Sequence, residues 1–296
     1  MKMQIYNPQP SANIERIELE LTSTCNLKCP LCIRTIQGKP EGDRFRSLNC
    51  IISQLDDYTN LKFITIAGSI AEPTLYPDLF GLLKYLRSRN IEISLYINGD
   101  TRNDTYYKKL GVMFRSCIGH VYLTMCGSTQ ELHEKYRVGS KLDRVLSRLD
   151  IINSFSGNKG ILTWIVFNYN YDDFQLNYQK FKSKYNTEFF FTLPMQEHFE
   201  LDSDIHLPEA QHLAYQSIDK NDFNNIHCLA NKHNFVQIAY DGKVVPCSLY
   251  RYYGETRCFE CSAKNFNTLR SHSIYNVAEP ESETSEIPMR IHYDRK

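Results

Sequence analysis

The sequence predicts an α/β fold built on a parallel sheet. Short β-rich runs alternate with helix-like segments from residue 14 to about 194, the rhythm of βα units. The length, 296 residues, suits one large domain with or without a smaller appendage. The residues with chemistry to offer fall at the C-terminal ends of the expected strands, where parallel sheets build their sites.

The expected strands are residues 14–21 (IERIELEL), 63–67, 91–97, 120–125, 162–167 and 189–193. Helices are expected at 48–58, 77–88, 104–114, 141–154 and 173–184. Pro77 would sit in the first turn of its helix, where a missing N–H costs little. The acidic stretch 198–204 reads as a solvated connector, and Pro208-Glu209 as the start of a helix leading out of the sheet.

Lys plus Arg and Asp plus Glu each number 34. That balance gives no general pull toward nucleic acid or an anionic membrane. No apolar run reaches the ~18 residues of a membrane span, and the first 16 residues lack the apolar core of a signal peptide. A cytoplasmic, thiol-reducing setting is therefore expected, in which ten cysteines point to metal before disulfides. Cys50, Cys117 and Cys126 stand apart; the other seven form two groups.

The first group is Cys25-x3-Cys29-x2-Cys32, directly after the first strand. Three sulfurs can hold three corners of an iron–sulfur cube and leave the fourth iron without a protein ligand. Structural zinc usually takes four ligands in paired spacing, and the nearest histidine, His120, is far along the chain. The bare motif admits both readings.

This loop resembles the signature of radical S-adenosylmethionine (radical SAM) enzymes. The resemblance implies a partial (β/α)6 barrel and a [4Fe–4S] cluster on Cys25, Cys29 and Cys32, with SAM chelating the open iron. One electron would cleave SAM to methionine and a 5′-deoxyadenosyl radical, which abstracts hydrogen from substrate. An external reductant such as flavodoxin or ferredoxin is implied with it.

Further segments resemble the family. Gly68-Ser-Ile-Ala-Glu72-Pro73 is similar to its GGEP loop, which binds the SAM amino group, with Ala71 where the pattern has glycine. As residues alone, they make an ordinary βα turn. Asn98-Gly99 resembles the strand-end T-N-G near the SAM ribose, and is also a plain turn signal. The stretch 121–152 resembles the family's strand, S-x-D-G, H-x-x-x-R-x-G and helix, through Thr124, Gly127, His133, Arg137 and Gly139. Arg137 could grip the SAM carboxylate through paired hydrogen bonds, or form a surface ion pair with Glu131 or Glu134. His133 reads as a structural hydrogen-bonding residue before a general acid. Cys126 replaces the usual aspartate and is either a small buried residue or a hydrogen donor. Asn168 corresponds to an asparagine at the SAM ribose; the alternative is a turn.

The second group is Cys228, Cys247, Cys258 and Cys261. Residues 235–246 alternate apolar side chains around Asp241-Gly242, a β-hairpin pattern that brings its flanking cysteines together. Spacing does not distinguish Zn(Cys)4 from a second cluster. The pattern resembles the SPASM/twitch extension, which implies an auxiliary [4Fe–4S] cluster of the single-cluster twitch type. The domains expected are an N-terminal segment 1–13, the partial barrel 14–205, the auxiliary domain 206–268 with its hairpin and helix, and a tail 269–296. Residues 279–288 are acidic and poor in apolar residues, a composition of disorder.

The expected function is therefore a radical SAM enzyme acting on a small molecule or a peptide, as a dehydrogenase or a peptide maturase. About 13 residues precede the first strand, which leads to the expectation of a small substrate or a peptide read without its leader. A rival of another class is a non-enzymatic, zinc-stabilised binding protein.

Overall fold

The structure is a computed structural model, and it describes residues 11–36, 38, 44–67, 71–191, 205 and 234–245. Among the described residues, eight strands form one sheet: β1 Arg16–Leu19, β2 Phe63–Ile66, β3 Glu92–Ile97, β4 Gly119–Met125, β5 Gly160–Val166, β6 Thr187–Phe191, β7 Phe235–Ile238 and β8 Val244–Val245. Their order is β6-β5-β4-β3-β2-β1-β7-β8. Every pair is parallel except β7–β8. Strands β1 to β6 neighbour each other in chain order. Crossovers of one hand, the rule for parallel strands, running without a reversal of strand order put their helices on one face, as in a (β/α) barrel rather than a doubly wound sheet.

The helices are α1 Ile33–Ile36, α2 Leu48–Asp56, α3 Leu79–Ser88, α4 Asp104–Phe114, α5 Gln130–Tyr136, α6 Leu142–Ser156 and α7 Tyr171–Tyr185. Strand alternation decides what they cover. Ile17 and Leu19, Ile64 and Ile66, Leu95, Leu123 and Trp164 are buried in one core with Leu55, Leu82, Leu110, Leu149 and Phe174 of the helices. The alternate residues, among them Glu18, Thr65, Tyr96, Tyr122, Thr124 and Thr163, lie on the opposite face in register. Tyr96 and Tyr122 stack there, with ring centroids 4.4 Å apart.

Several expectations are adjusted. Pro77 lies outside its helix, ahead of the N-cap Asp78, because residues 73–75 already form a 3-10 turn and α3 starts only at Leu79. α1 and α5 were not expected; the side chain of Thr129 caps α5 by accepting from Leu132 N. The hairpin around Asp241-Gly242 is present, and Gly242 adopts φ +86°, the left-handed conformation its turn needs. Its first strand was expected beyond the barrel. It instead joins the barrel sheet, with β7 pairing with β1 from Arg16↔Phe235 to Leu19↔Ile238. Gln54 Nε2 of α2 donates to Gly242 O at 3.0 Å and holds the turn down. Among the described residues, no helix is long and apolar enough to cross a membrane.

Candidate cluster and cofactor site

The loop after β1 carries Cys25, Cys29 and Cys32, all half-buried and none in a disulfide. Leu27 is buried and anchors it. Its local form comes from short backbone bonds: Leu27 N to Cys25 Sγ at 3.5 Å, Cys32 N to Cys29 O at 3.1 Å, and Thr35 N to Cys32 O at 2.8 Å, which opens α1. Burial pushes the Cys25 thiol up to about 11, and pushes Cys29 and Cys32 up as well. For these thiols to ionise in so dry a setting takes a nearby cation, which a metal centre would supply. Among the described residues, no three Cys, His, Asp or Glu side chains could hold one metal ion. A cluster asks less convergence than a single ion, since each thiolate takes a different iron. The donor set, three sulfurs and no fourth protein ligand among the described residues, fits an iron–sulfur cluster with an open position.

Each neighbouring βα loop is tied to this one. Glu72, after β2, is fully buried, and its N donates to Thr24 O at 2.8 Å. Its Oε1 accepts from Thr74 N at 3.2 Å and Thr74 Oγ1 at 2.5 Å, and Oε2 accepts from Asn98 N at 2.7 Å. Burial pushes the Glu72 carboxyl up, while these donors pull it back. Asn98, at the end of β3, donates from Nδ2 to Asn26 Oδ1 at 2.7 Å and accepts from Asp100 N at 2.8 Å. Both side chains brace the loops around the cysteines. Gly68 lies outside the described residues.

Thr124 ends the polar row of β4 and is buried beside Thr163 of β5. Cys126 and Gly127 follow. A Cβ on Gly127 would come within 2.4 Å of Leu132 Cβ, so only glycine lets α5 pack so close. His133 of α5 is fully buried. Its Nδ1 accepts from Cys126 N at 3.3 Å, which puts the ring proton on Nε2, donated to Ser140 Oγ at 2.8 Å. Burial, with the charge of Arg137, lowers His133 to about 4. A neutral histidine with both nitrogens in use is a brace.

Arg137 caps the end of α5, and Lys28 N of the cysteine loop donates to Val138 O at 3.2 Å. Burial opposes the Arg137 charge, but Cys29, Cys126, Tyr136 and Cys25 more than offset it. Its Nε–H is buried without a hydrogen-bond partner. A buried orphan donor beside three thiols is a ready seat for an anionic group. The surface ion pair that was the alternative is not what this position makes: the salt bridge there runs from Lys141 to Glu134 at 3.2 Å.

Cys126 is buried with Phe167 and Ile205, in contact with Leu31, Tyr136, Ile165 and Tyr169. Burial drives its thiol far up. Its carbonyl accepts from Asn170 Nδ2 at 2.8 Å and Tyr169 OH at 3.2 Å. Asn168 is exposed at the start of a 3-10 turn. The buried asparagine is Asn170, which also accepts from Phe167 N at 2.8 Å and donates to Ile165 O at 3.0 Å. Sequence reading missed Asn170; the only available signal was a second asparagine two residues on. Cys228, Cys247, Cys258 and Cys261 lie outside the described residues.

The family model described as the radical SAM superfamily matches residues 19–180, more than half of the chain. The chain is 31% identical over 93 residues to the tungsten-containing aldehyde ferredoxin oxidoreductase cofactor-modifying protein of Pyrococcus furiosus, covering 31% of this chain and 26% of that one. It is 28% identical over 120 residues to the mycofactocin maturase MftC of Mycobacterium ulcerans, covering 40% and 31%. The aligned segments thus span about a third or less of those relatives. Streptococcus suis SuiB bound to S-adenosylmethionine superposes with a TM-score of 0.63 at 15% identity, over 81% of this chain and 61% of SuiB. Native anSMEcpe with bound AdoMet superposes at 0.58 and 15% identity, over 93% of each chain. These likenesses are of fold. With the cysteine loop, the ordered parallel sheet and the family match all covering the same residues, the chain belongs to the radical SAM superfamily.

Proposed function

We propose that this chain is a radical SAM enzyme holding a [4Fe–4S] cluster on Cys25, Cys29 and Cys32 and acting on a peptide or a small molecule. The carrying observation is the buried, unpartnered Nε–H of Arg137 beside those three thiols. When bound, the cluster and SAM supply reductive cleavage to a 5′-deoxyadenosyl radical. The chain's own part is to bind, orient and keep water out.

In this reading Arg137 grips the SAM carboxylate and Thr124 adds a hydroxyl from β4. The Gly68–Glu72 segment takes the SAM amino group. Asn98 and Asn168 stand toward the ribose, and Asn170 holds the strand-end backbone between them. The buried Cys126 packs the wall of the site.

We assign Cys228, Cys247, Cys258 and Cys261 to an auxiliary [4Fe–4S] cluster in a twitch-like region, 206–268, that follows residues 14–205 and lends strand β7 to the barrel sheet. Four protein thiolates leave no vacancy, so its role is to pass an electron to or from the substrate and to hold the fold. An oxygen-sensitive pair of clusters fed by flavodoxin or ferredoxin fits the cytoplasm. A peptide substrate is supported by the fold likeness to SuiB, one of whose structures is bound to the precursor peptide SuiA, with a TM-score of 0.60 and 16% identity.

The test is anaerobic reconstitution. Brown protein with broad absorption near ~400 nm and iron and sulfide for two clusters is expected. Cys29→Ala should abolish 5′-deoxyadenosine formation while the apo-chain still folds. Colourless protein with stoichiometric zinc would instead support a zinc-stabilised binding protein.

A further inference from the structure

A second guanidinium beside the cysteine loop, besides that of Arg137, has a buried Nε–H without a partner: Arg34. It sits in α1, two residues past Cys32. Its Nη1 reaches back across the loop and donates to Cys25 O at 2.5 Å, linking the two ends of the motif. Three backbone acceptors of the loop are already engaged. Cys25 O takes Arg34 itself, Cys29 O takes Cys32 N, and Cys32 O takes Thr35 N and Ile36 N. A buried N–H calls for an acceptor, and the loop that Arg34 clasps carries three sulfurs.

We propose that Arg34 is a positioning residue of the cysteine loop, whose Nη1 clasps Cys25 while its Nε–H is kept for a sulfur of the bound cluster. This rests on the cluster assignment to Cys25, Cys29 and Cys32. A donor to a cluster sulfur, carrying a positive charge in a half-buried site, stabilises the reduced form and raises the reduction potential.

The experiment is a redox titration of full-length, anaerobically reconstituted protein, followed by electron paramagnetic resonance. The signal tracked is the one that changes on adding SAM, which separates this cluster from any other. Arg34→Gln should move its midpoint to a more negative potential than wild type. Arg34→Lys, which keeps the charge but lacks Nε–H, should fall between them. Lys28→Gln removes an exposed, screened charge of the same loop and should leave the midpoint in place. An Arg34→Gln midpoint equal to wild type at equal iron content would overturn the proposal. If Arg34→Gln loads no cluster, an unchanged circular dichroism spectrum of the apo-chain supports the clasp, and a lost one overturns a local role. A wild-type protein without any SAM-responsive signal would refute the cluster assignment itself, a result distinct from these.

Discussion

Asn98 Nδ2, at the end of β3, donates to Asn26 Oδ1 inside the cysteine loop at 2.7 Å. This single bond joins residues 72 positions apart and sets the loop against the sheet. Asn98→Ala removes it together with the bond to Asp100 N. Thermal denaturation of the apo-chain should show a loss of about 1–2 kcal/mol, as for two hydrogen bonds of a buried group. Reconstituted protein should retain less iron, measured by colorimetric iron assay.

Glu72 offers a sharper electrostatic test. Its carboxylate receives three donors and offers none. In Glu72→Gln the amide nitrogen must face one of those N–H or O–H groups, which leaves a buried donor unpaired. The cost should be about 1–3 kcal/mol, read from urea denaturation midpoints. Glu72→Ala should cost no less, because Thr74 N, Thr74 Oγ1 and Asn98 N all lose their acceptor.

Arg137→Lys keeps the charge and removes the planar fork. If the guanidinium grips a carboxylate through two parallel bonds, SAM affinity should fall at least about tenfold, roughly 1.4 kcal/mol. Isothermal titration of reconstituted protein with SAM would measure it. Equal affinity would show that Arg137 contributes charge alone.

His133 should make stability fall in mild acid. Its proton binds at about 4 when buried, against an ordinary value of 6.5. Below 6.5 the unfolded chain takes up a proton that the folded chain refuses, so folding loses stability as pH falls from 6.5 toward 4. Above 6.5 the contribution is complete. The loss should approach roughly 3 kcal/mol at the low end. Melting temperatures of wild type and His133→Gln between pH 7 and pH 4.5 should show a shallower slope in the variant.

Much of this was legible in the residues themselves. The alternation of Ile17, Leu19, Ile64, Ile66, Ile93 and Leu95 with polar neighbours marks strands with one face on a core, because side-chain direction in a strand repeats every two residues. The helix at Asp104–Phe114 has the bounds expected of it. The cysteine triad needed no fold to be picked out, since its spacing is local. Short elements without strong periodicity escaped: α1 and α5 exist because caps and neighbouring loops hold them, Thr129 on α5 for one.

The sequence by itself determined the chemistry this protein brings to its site: three closely spaced thiols after a first strand, an arginine at 137, and a rhythm that can only bury its apolar faces as βα units. Tertiary structure decided which polar residues serve that chemistry and which hold it in shape. It turned Glu72 inward as a brace, exposed Asn168 while burying Asn170, made His133 a neutral strut, and drew the hairpin strand Phe235–Ile238 against β1. His133 takes partners seven residues away on either side, but the other outcomes depend on hydrogen-bond partners tens to hundreds of residues away. No local propensity encodes such a partner, because only the closed sheet brings the strand ends together.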